Sequence, residues 1–268
     1  MTHVPLLAHM HDAQDPKRSF AIVSRLVALA STRFVCVSEA VRRVMVGLGI
    51  AEQRTEVLYN GVQLSYLGER PDPAPEVSGP GPHILMCAQI VPWKGQHVFL
   101  DAASRIARKH PTARFYVVGT LAHPDDQSYM DQLRATADEG ELRGRVVFAG
   151  YQSNVPSWMI AADVIVHAST AGEAFGLVIA EAMALGKRVV ASDTGGPREI
   201  VEDGVTGRLV PPNDAGALAV AIEDLASRPP DDPMGARAAR SIRERFTPER
   251  FGNELASLYA RTLGDAAV

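Results

Sequence analysis

The stretch Ala171–Pro197, AGEAFGLVIAEAMALGKRVVASDTGGP, decides how the chain folds. It follows one short apolar run, DVIVHAS (Asp163–Ser169), and contains a second, KRVVAS (Lys187–Ser192). Both runs are β-branched and of strand length. Between them Phe175–Leu185 has helical composition and meets Gly186, a residue suited to a helix C-terminus. Strand, helix, strand in one span is the crossover between two parallel strands. The pattern predicts a helix over Phe175–Leu185 whose opening N–H groups, on Phe175, Gly176 and Leu177, have no partner inside the helix. Free amides at the positive end of a helix form an anion site, and a glycine there lets the ligand approach the backbone.

The same alternation continues on both sides. Strands are predicted at His83–Cys87, Arg114–Val118, Arg145–Ala149, Val164–His167 and Arg188–Ala191, with helices over Lys94–His110 and Asp214–Leu225. That is an α/β chain with a parallel sheet. Residues 63–82, QLSYLGERPDPAPEVSGPGP, hold five prolines and three glycines. They read as an interdomain linker in which no helix or central strand fits. Residues 1–62 carry too few strands for a whole α/β domain and are expected to be the end of one whose beginning is absent. Residues 83–246 suffice for a complete Rossmann-like domain, and 247–268 form a closing helix expected to pack back toward the N-terminal part.

Composition narrows the function classes. The 268 residues are 46% hydrophobic and 22% charged, as in ordinary globular proteins. A net charge of −4 and dispersed basic residues argue against nucleic acid as a partner. Cys36 and Cys87 each sit in an apolar run and read as buried free thiols. No run is long enough to span a bilayer and the N-terminus lacks a signal-peptide pattern, so a cytoplasmic location is the default expectation. His3, His9 and His11 have no carboxylate or cysteine pattern to complete a metal site.

Several side chains are candidates for chemistry. Glu173 and Glu181 flank the amide-rich helix start. A carboxylate beside a phosphate site is not there for the phosphate, because like charges repel. Carboxylates accept from hydroxyls, so Glu173 suits a hexose and Glu181 a ribose diol, with a diphosphate between them on the amides. The alternative for a glutamate near the helix start is a plain charge–dipole pairing, to which Glu181, inside the apolar run LVIAEAMAL, is less open. Lys94 in VPWKG, one of four lysines against 23 arginines, lies past a strand end, where it would stabilise a departing diphosphate; a solvated lysine opening a helix is the alternative. His11 in AHMHD is placed to donate to a sugar hydroxyl or serves structure alone. Tyr151, after a strand, is placed by topology where a nucleobase edge would rest, with a bland loop as the alternative.

The E-x7-E pattern EAFGLVIAE, Glu173 to Glu181, continues into AMALGKRVVASDTGGPREIVEDGVTGRLVPP and resembles the C-terminal domain of family 4 retaining glycosyltransferases. VPWKG, AGYQSNVPSWMIAADVIVHAS, FTPERFGNELASLYARTL, VSEAVRRVM, VLYNGV and AHMHD extend the likeness over nearly the whole chain. The resemblance implies the GT-B fold, here with a complete C-terminal Rossmann-like domain and a partial N-terminal one. It implies transfer of a hexose from a UDP- or GDP-linked sugar to an acceptor hydroxyl, with retention and with no metal or organic cofactor. It places Glu173 on the donor hexose and Glu181 on the ribose, with the amides of Phe175, Gly176 and Leu177 on the diphosphate and Ala174 beside them in the donor site. It puts Lys94 on the leaving phosphate and His11 on the sugar from the opposite domain. The acceptor stays open among saccharide, lipid and small molecule, as does peripheral association with the inner membrane face. Gln89 stands where the family usually has an arginine, so charge on the leaving group rests more heavily on Lys94. A full family member also carries a further N-terminal stretch with a glycine-rich loop and most of the acceptor site. A non-catalytic nucleotide-sugar-binding fragment is therefore the alternative reading.

Overall fold

The computed structural model describes residues 5–11, 24, 26, 27, 29–63, 67 and 71–266. Two wholly parallel sheets form. The first pairs β1 (Leu7–Met10), β2 (Arg33–Cys36) and β3 (Thr55–Val57) in that order. The second contains β4 (His83–Cys87), β5 (Arg114–Val118), β6 (Val146–Gly150), β7 (Val164–His167), β8 (Arg188–Ser192) and β9 (Arg208–Val210). Its spatial order is β6-β5-β4-β7-β8-β9, the doubly wound order of Rossmann folds.

Why these strands are continuous apolar runs follows from burial on both faces. Leu85, Tyr116, Ile165 and Val189 point to one face, while Ile84, Phe115, Val164 and Val190 point to the other. The second face is covered by α2 (Gln96–Lys109), α3 (Gln127–Ala137) and α7 (Ala215–Ser227), through Phe99, Leu133, Leu218 and Ile222. The first face meets α4 (Val155–Ala161), α5 (Leu177–Ala184) and α8 (Met234–Arg245), through Trp158, Ile179 and Ile242. Phe34, Cys36 and α1 (Glu39–Gly47), with Val41 and Met45, join this same core, so the two sheets share one apolar interior. On the outer side of the small sheet, Val35 and Leu58 pack on Leu258 of α9 (Pro248–Ala266), and Arg261 pairs with Glu56 at 2.7 Å. Both cysteines are free and buried, and burial pushes the Cys36 thiol up to about 12.

Several expectations need correction. The third strand of the large sheet lies at Val146–Gly150, one residue later than predicted, and β9 had no counterpart. Lys94 is not on the following helix: a 3-10 turn, Pro92–Lys94, ends at left-handed Gly95, and α2 begins only at Gln96. The proline-rich stretch is more than a tether. Leu67 is helical and buried, and Ala74 and Val77 are also buried, all three within the shared core. Apolar side chains inside a polar, proline-rich segment anchor it.

Candidate functional site

In the large sheet the chain winds outward from β4 to β5 and β6, then returns to place β7 on β4's other side. The crevice outside the carboxyl ends of two such strands is where open α/β sheets take ligands. A cleft of about 330 Å³ opens there. Its walls are Cys87, Ala88, Gln89 and Lys94 after β4, His167 of β7, and Glu173, Ala174, Phe175, Gly176, Leu177 and Val178. His11, Val37 and Asn60 face them from the small-sheet side. Residues distant in sequence thus converge on one space.

Glu173 is the charged centre. Lys94 Nζ donates to its Oε2 at 2.6 Å, and His167 Nε2 lies 3.2 Å from the same oxygen. The Glu173 and Lys94 side chains are only 13% and 18% exposed, so water screens the pair weakly. Burial alone would push the Glu173 carboxyl up. The hydrogen bond and charge of His167, followed by Lys94, outweigh burial and hold the group at about 2. Ser169 Oγ sits 2.9 Å from His167 Nε2, so this ring nitrogen lies between the hydroxyl and the carboxylate. His167 Nδ1 is buried and, among the described residues, has no hydrogen-bond partner. Lys94 Nζ also rests 4.1 Å from the Trp93 ring centroid.

Backbone contacts fix this cluster. Thr170 N–H donates to Trp93 O at 2.8 Å, joining the loops after β4 and β7. Gly196 N–H donates to Glu173 O at 2.7 Å. Beside it Gly195 has φ +59°, and a Cβ there would stand 2.1 Å from Glu173 O. Only glycine lets the loop after β8 close onto the carboxylate's own backbone.

The anion site differs in detail from its prediction. The helix starts at Leu177, not Phe175, because Gly176 is left-handed at φ +101°. Ile179 and Ala180 both donate to Gly176 O, at 3.0 and 3.1 Å. Among the described residues, the amides of Gly176, Leu177 and Val178 meet no acceptor. Phe175 lies before the helix because its ring turns inward, 6.3 Å from Tyr59 and 5.5 Å from Phe246 between centroids.

The other predicted residues are placed as follows. Gln89 is exposed at the cleft wall, and its carbonyl is held by the fully buried Gln96 amide at 2.7 Å. His11 lines the cleft, its ring 6.4 Å from that of His9. Glu181, on α5, does not line the cleft. It is half-buried near Cys87, which does, and burial raises its carboxyl. Tyr151 is 77% exposed and is not brought to the cleft. The reason is topological: β6, which it follows, is the outer strand, two places from β4 and three from β7. Sequence reading missed His167, Ser169 and Gln96; for His167 a polar residue inside the apolar run DVIVHAS was the available signal.

Comparison with known proteins agrees with the geometry. The family model "Glycosyl transferases group 1" matches residues 72–245, and "Glycosyltransferase Family 4" matches residues 1–66. A phosphatidyl-myo-inositol mannosyltransferase of Mycobacterium tuberculosis is 38% identical over 135 residues, 50% of this chain and 33% of that protein. A D-inositol 3-phosphate glycosyltransferase of Streptomyces coelicolor is 28% identical over 264 residues, 87% of this chain and 56% of that protein. The matches thus span about a third to a half of these relatives' lengths. Among solved structures, Anabaena HepE in complex with UDP and glucose superposes at TM-score 0.84 with 28% identity, covering 96% of this chain and 71% of that one. The doubly wound sheet, the cleft at its switch point and the match over residues 72–245 lead to one conclusion: this chain belongs to the group 1 glycosyl transferases, and its architecture is of the GT-B type.

Proposed function

We propose that the chain binds a nucleoside diphosphate sugar and serves transfer of its hexose to an acceptor hydroxyl with retention of configuration. The observation that carries this reading is the convergence of Lys94, Glu173 and the open N-terminus of α5 on one cleft. HepE, whose structures hold UDP and UDP-glucose, supports it as a similar protein. In this reading the diphosphate sits on the Gly176, Leu177 and Val178 amides, where the helix end favours negative charge. Lys94 turns from Glu173 toward the phosphate, and Glu173, still held by His167, accepts from the hexose. Glu181 accepts from the ribose. Gln89 donates a hydrogen bond to the phosphate without adding charge. His11 approaches the sugar from the small-sheet side.

The bond from the anomeric carbon to phosphate oxygen breaks as the acceptor oxygen bonds to the same face of that carbon. The acceptor's proton passes to the departing phosphate oxygen. Lys94 and the amides stabilise the charge that builds on the leaving group, and no metal is needed for that task. A saccharide or lipid acceptor fits, with peripheral membrane contact in the lipid case and a cytoplasmic setting that supplies the nucleotide sugar.

Calorimetry with UDP, UDP-glucose, GDP and GDP-mannose, followed by an anomeric product assay with the best donor, tests the reading. Binding of one nucleotide series and a product of retained configuration are expected. Absence of heat with all four, or an inverted product, would overturn it.

A further inference from the structure

One carboxylate joins the small sheet to the cleft and has no part in the chemistry above. Glu199 lies on the short helix α6 (Pro197–Ile200). Its Oε2 accepts the N–H of Glu39 at 2.9 Å and its Oε1 that of Ala40 at 2.9 Å. It therefore caps the N-terminus of α1, a helix 160 residues away in sequence. The Tyr59 hydroxyl lies against the same carboxylate. On the backbone side, the Arg245 guanidinium donates to Glu199 O at 2.6 Å.

α1 does not need this residue to begin. Ser38 Oγ already accepts from Val41 N–H at 3.1 Å, and Glu39 already places an acid in the first turn. A further carboxylate brought in from the other sheet instead gives a two-point, charge-assisted joint. The joint leads to the cleft by a short path. α6 opens at Gly196, and Gly196 N–H is the donor that holds Glu173 O at 2.7 Å. Only Pro197 and Arg198 lie between Glu199, which caps α1, and Gly196, which holds the backbone carbonyl of Glu173.

We infer that Glu199 is a positioning residue that seats α1 on the cleft and, through α6 and Gly196, sets the place of Glu173. Its effect on sugar binding rests on the donor-site reading; its mechanical coupling does not. Glu199→Gln keeps the size but turns an amide donor toward one of the two N–H groups. Glu199→Asp keeps two acceptors on a shorter arm.

Residue-resolved hydrogen exchange on the full chain and both variants tests the coupling. In Glu199→Gln the amides of Glu39 and Ala40 should exchange faster by about tenfold or more, as expected on losing a charge-assisted bond. The Gly196 amide should accelerate with them, and Glu199→Asp should restore all three in proportion. UDP affinity should hold while the preference for UDP-glucose over UDP shrinks, a split that general destabilisation does not produce. Opening of Glu39 and Ala40 with Gly196 unchanged would overturn the coupling. No change at any of the three would overturn the joint itself. If Glu199→Gln does not fold, Glu199→Asp against the parent chain decides: its shorter arm should accelerate Glu39, Ala40 and Gly196 together by a smaller factor, and acceleration of Glu39 and Ala40 without Gly196, or of none of the three, would overturn the proposal. If the parent chain gives no heat with UDP, the donor-site reading fails while the exchange data still judge Glu199.

Discussion

At the scale of single residues the account turns on a lysine and a carboxylate paired at 2.6 Å in a poorly screened place. Lys94 and Glu181 have separate tasks in the proposed chemistry, so their two truncations differ. Lys94→Ala removes the cation facing the diphosphate and should weaken UDP binding by about tenfold or more, since hydrogen bonds to charged groups are worth ~1.5–3 kcal/mol. Glu181→Ala should weaken UDP binding less, with the loss confined to ribose-bearing ligands; calorimetry of UDP against pyrophosphate separates the two. Unchanged affinity in both variants would remove the site assignment. Glu173 also makes a pH prediction. Its folded value of about 2 lies below its ordinary 4.5, so the folded state favours the ionised form. That stability is present above pH 4.5 and is lost as the pH falls toward 2. Thermal melts of the parent and Glu173→Gln across this window should converge at the acid end; parallel curves would contradict the depressed value.

At the scale of elements, the sequence announced more of the large sheet than of the site's fine geometry, for a physical reason. β4, β5, β7 and β8 are buried on both faces, so their residues form unbroken apolar runs visible without any partner. β9, with only Arg208–Val210, has too little of that signal. The start of α5 was misplaced by two residues because Phe175 is apolar in either setting. Only tertiary packing on Tyr59 and Phe246 tells it to turn inward before the helix. The role of His167 depends on Glu173 reaching it across a loop, which no spacing rule encodes. The loop after β8 yields a further prediction. Gly195→Ala brings a Cβ to 2.1 Å from Glu173 O at a φ of +59°, so the loop must move. Strain at such positions costs of order 1–3 kcal/mol, so a Tm drop of several degrees is expected, together with weaker UDP-glucose binding. A variant with unchanged Tm and affinity would show that the loop does not hold Glu173.

At the scale of the whole molecule, the two sheets share one apolar interior, and the cleft lies where they meet. Tyr59, Phe175 and Phe246 pack as an aromatic trio at this junction, with Tyr59 and Phe246 5.4 Å apart. Phe246→Ala should therefore cost about 3–5 kcal/mol and lower Tm by roughly 10 °C. Near- and far-ultraviolet circular dichroism should report one coincident transition in the parent chain. Separate transitions would mean that the sheets are held less jointly than their packing indicates. Binding of the diphosphate at the opening of α5 is the claim on which the function stands. The most direct test is an amide-resolved NMR titration of the chain with UDP. The account predicts that Gly176, Leu177 and Val178 show the largest shifts and that Lys94→Ala reduces them at equal UDP. Saturable binding that leaves these three amides unmoved, with the shifts centred elsewhere, would contradict it.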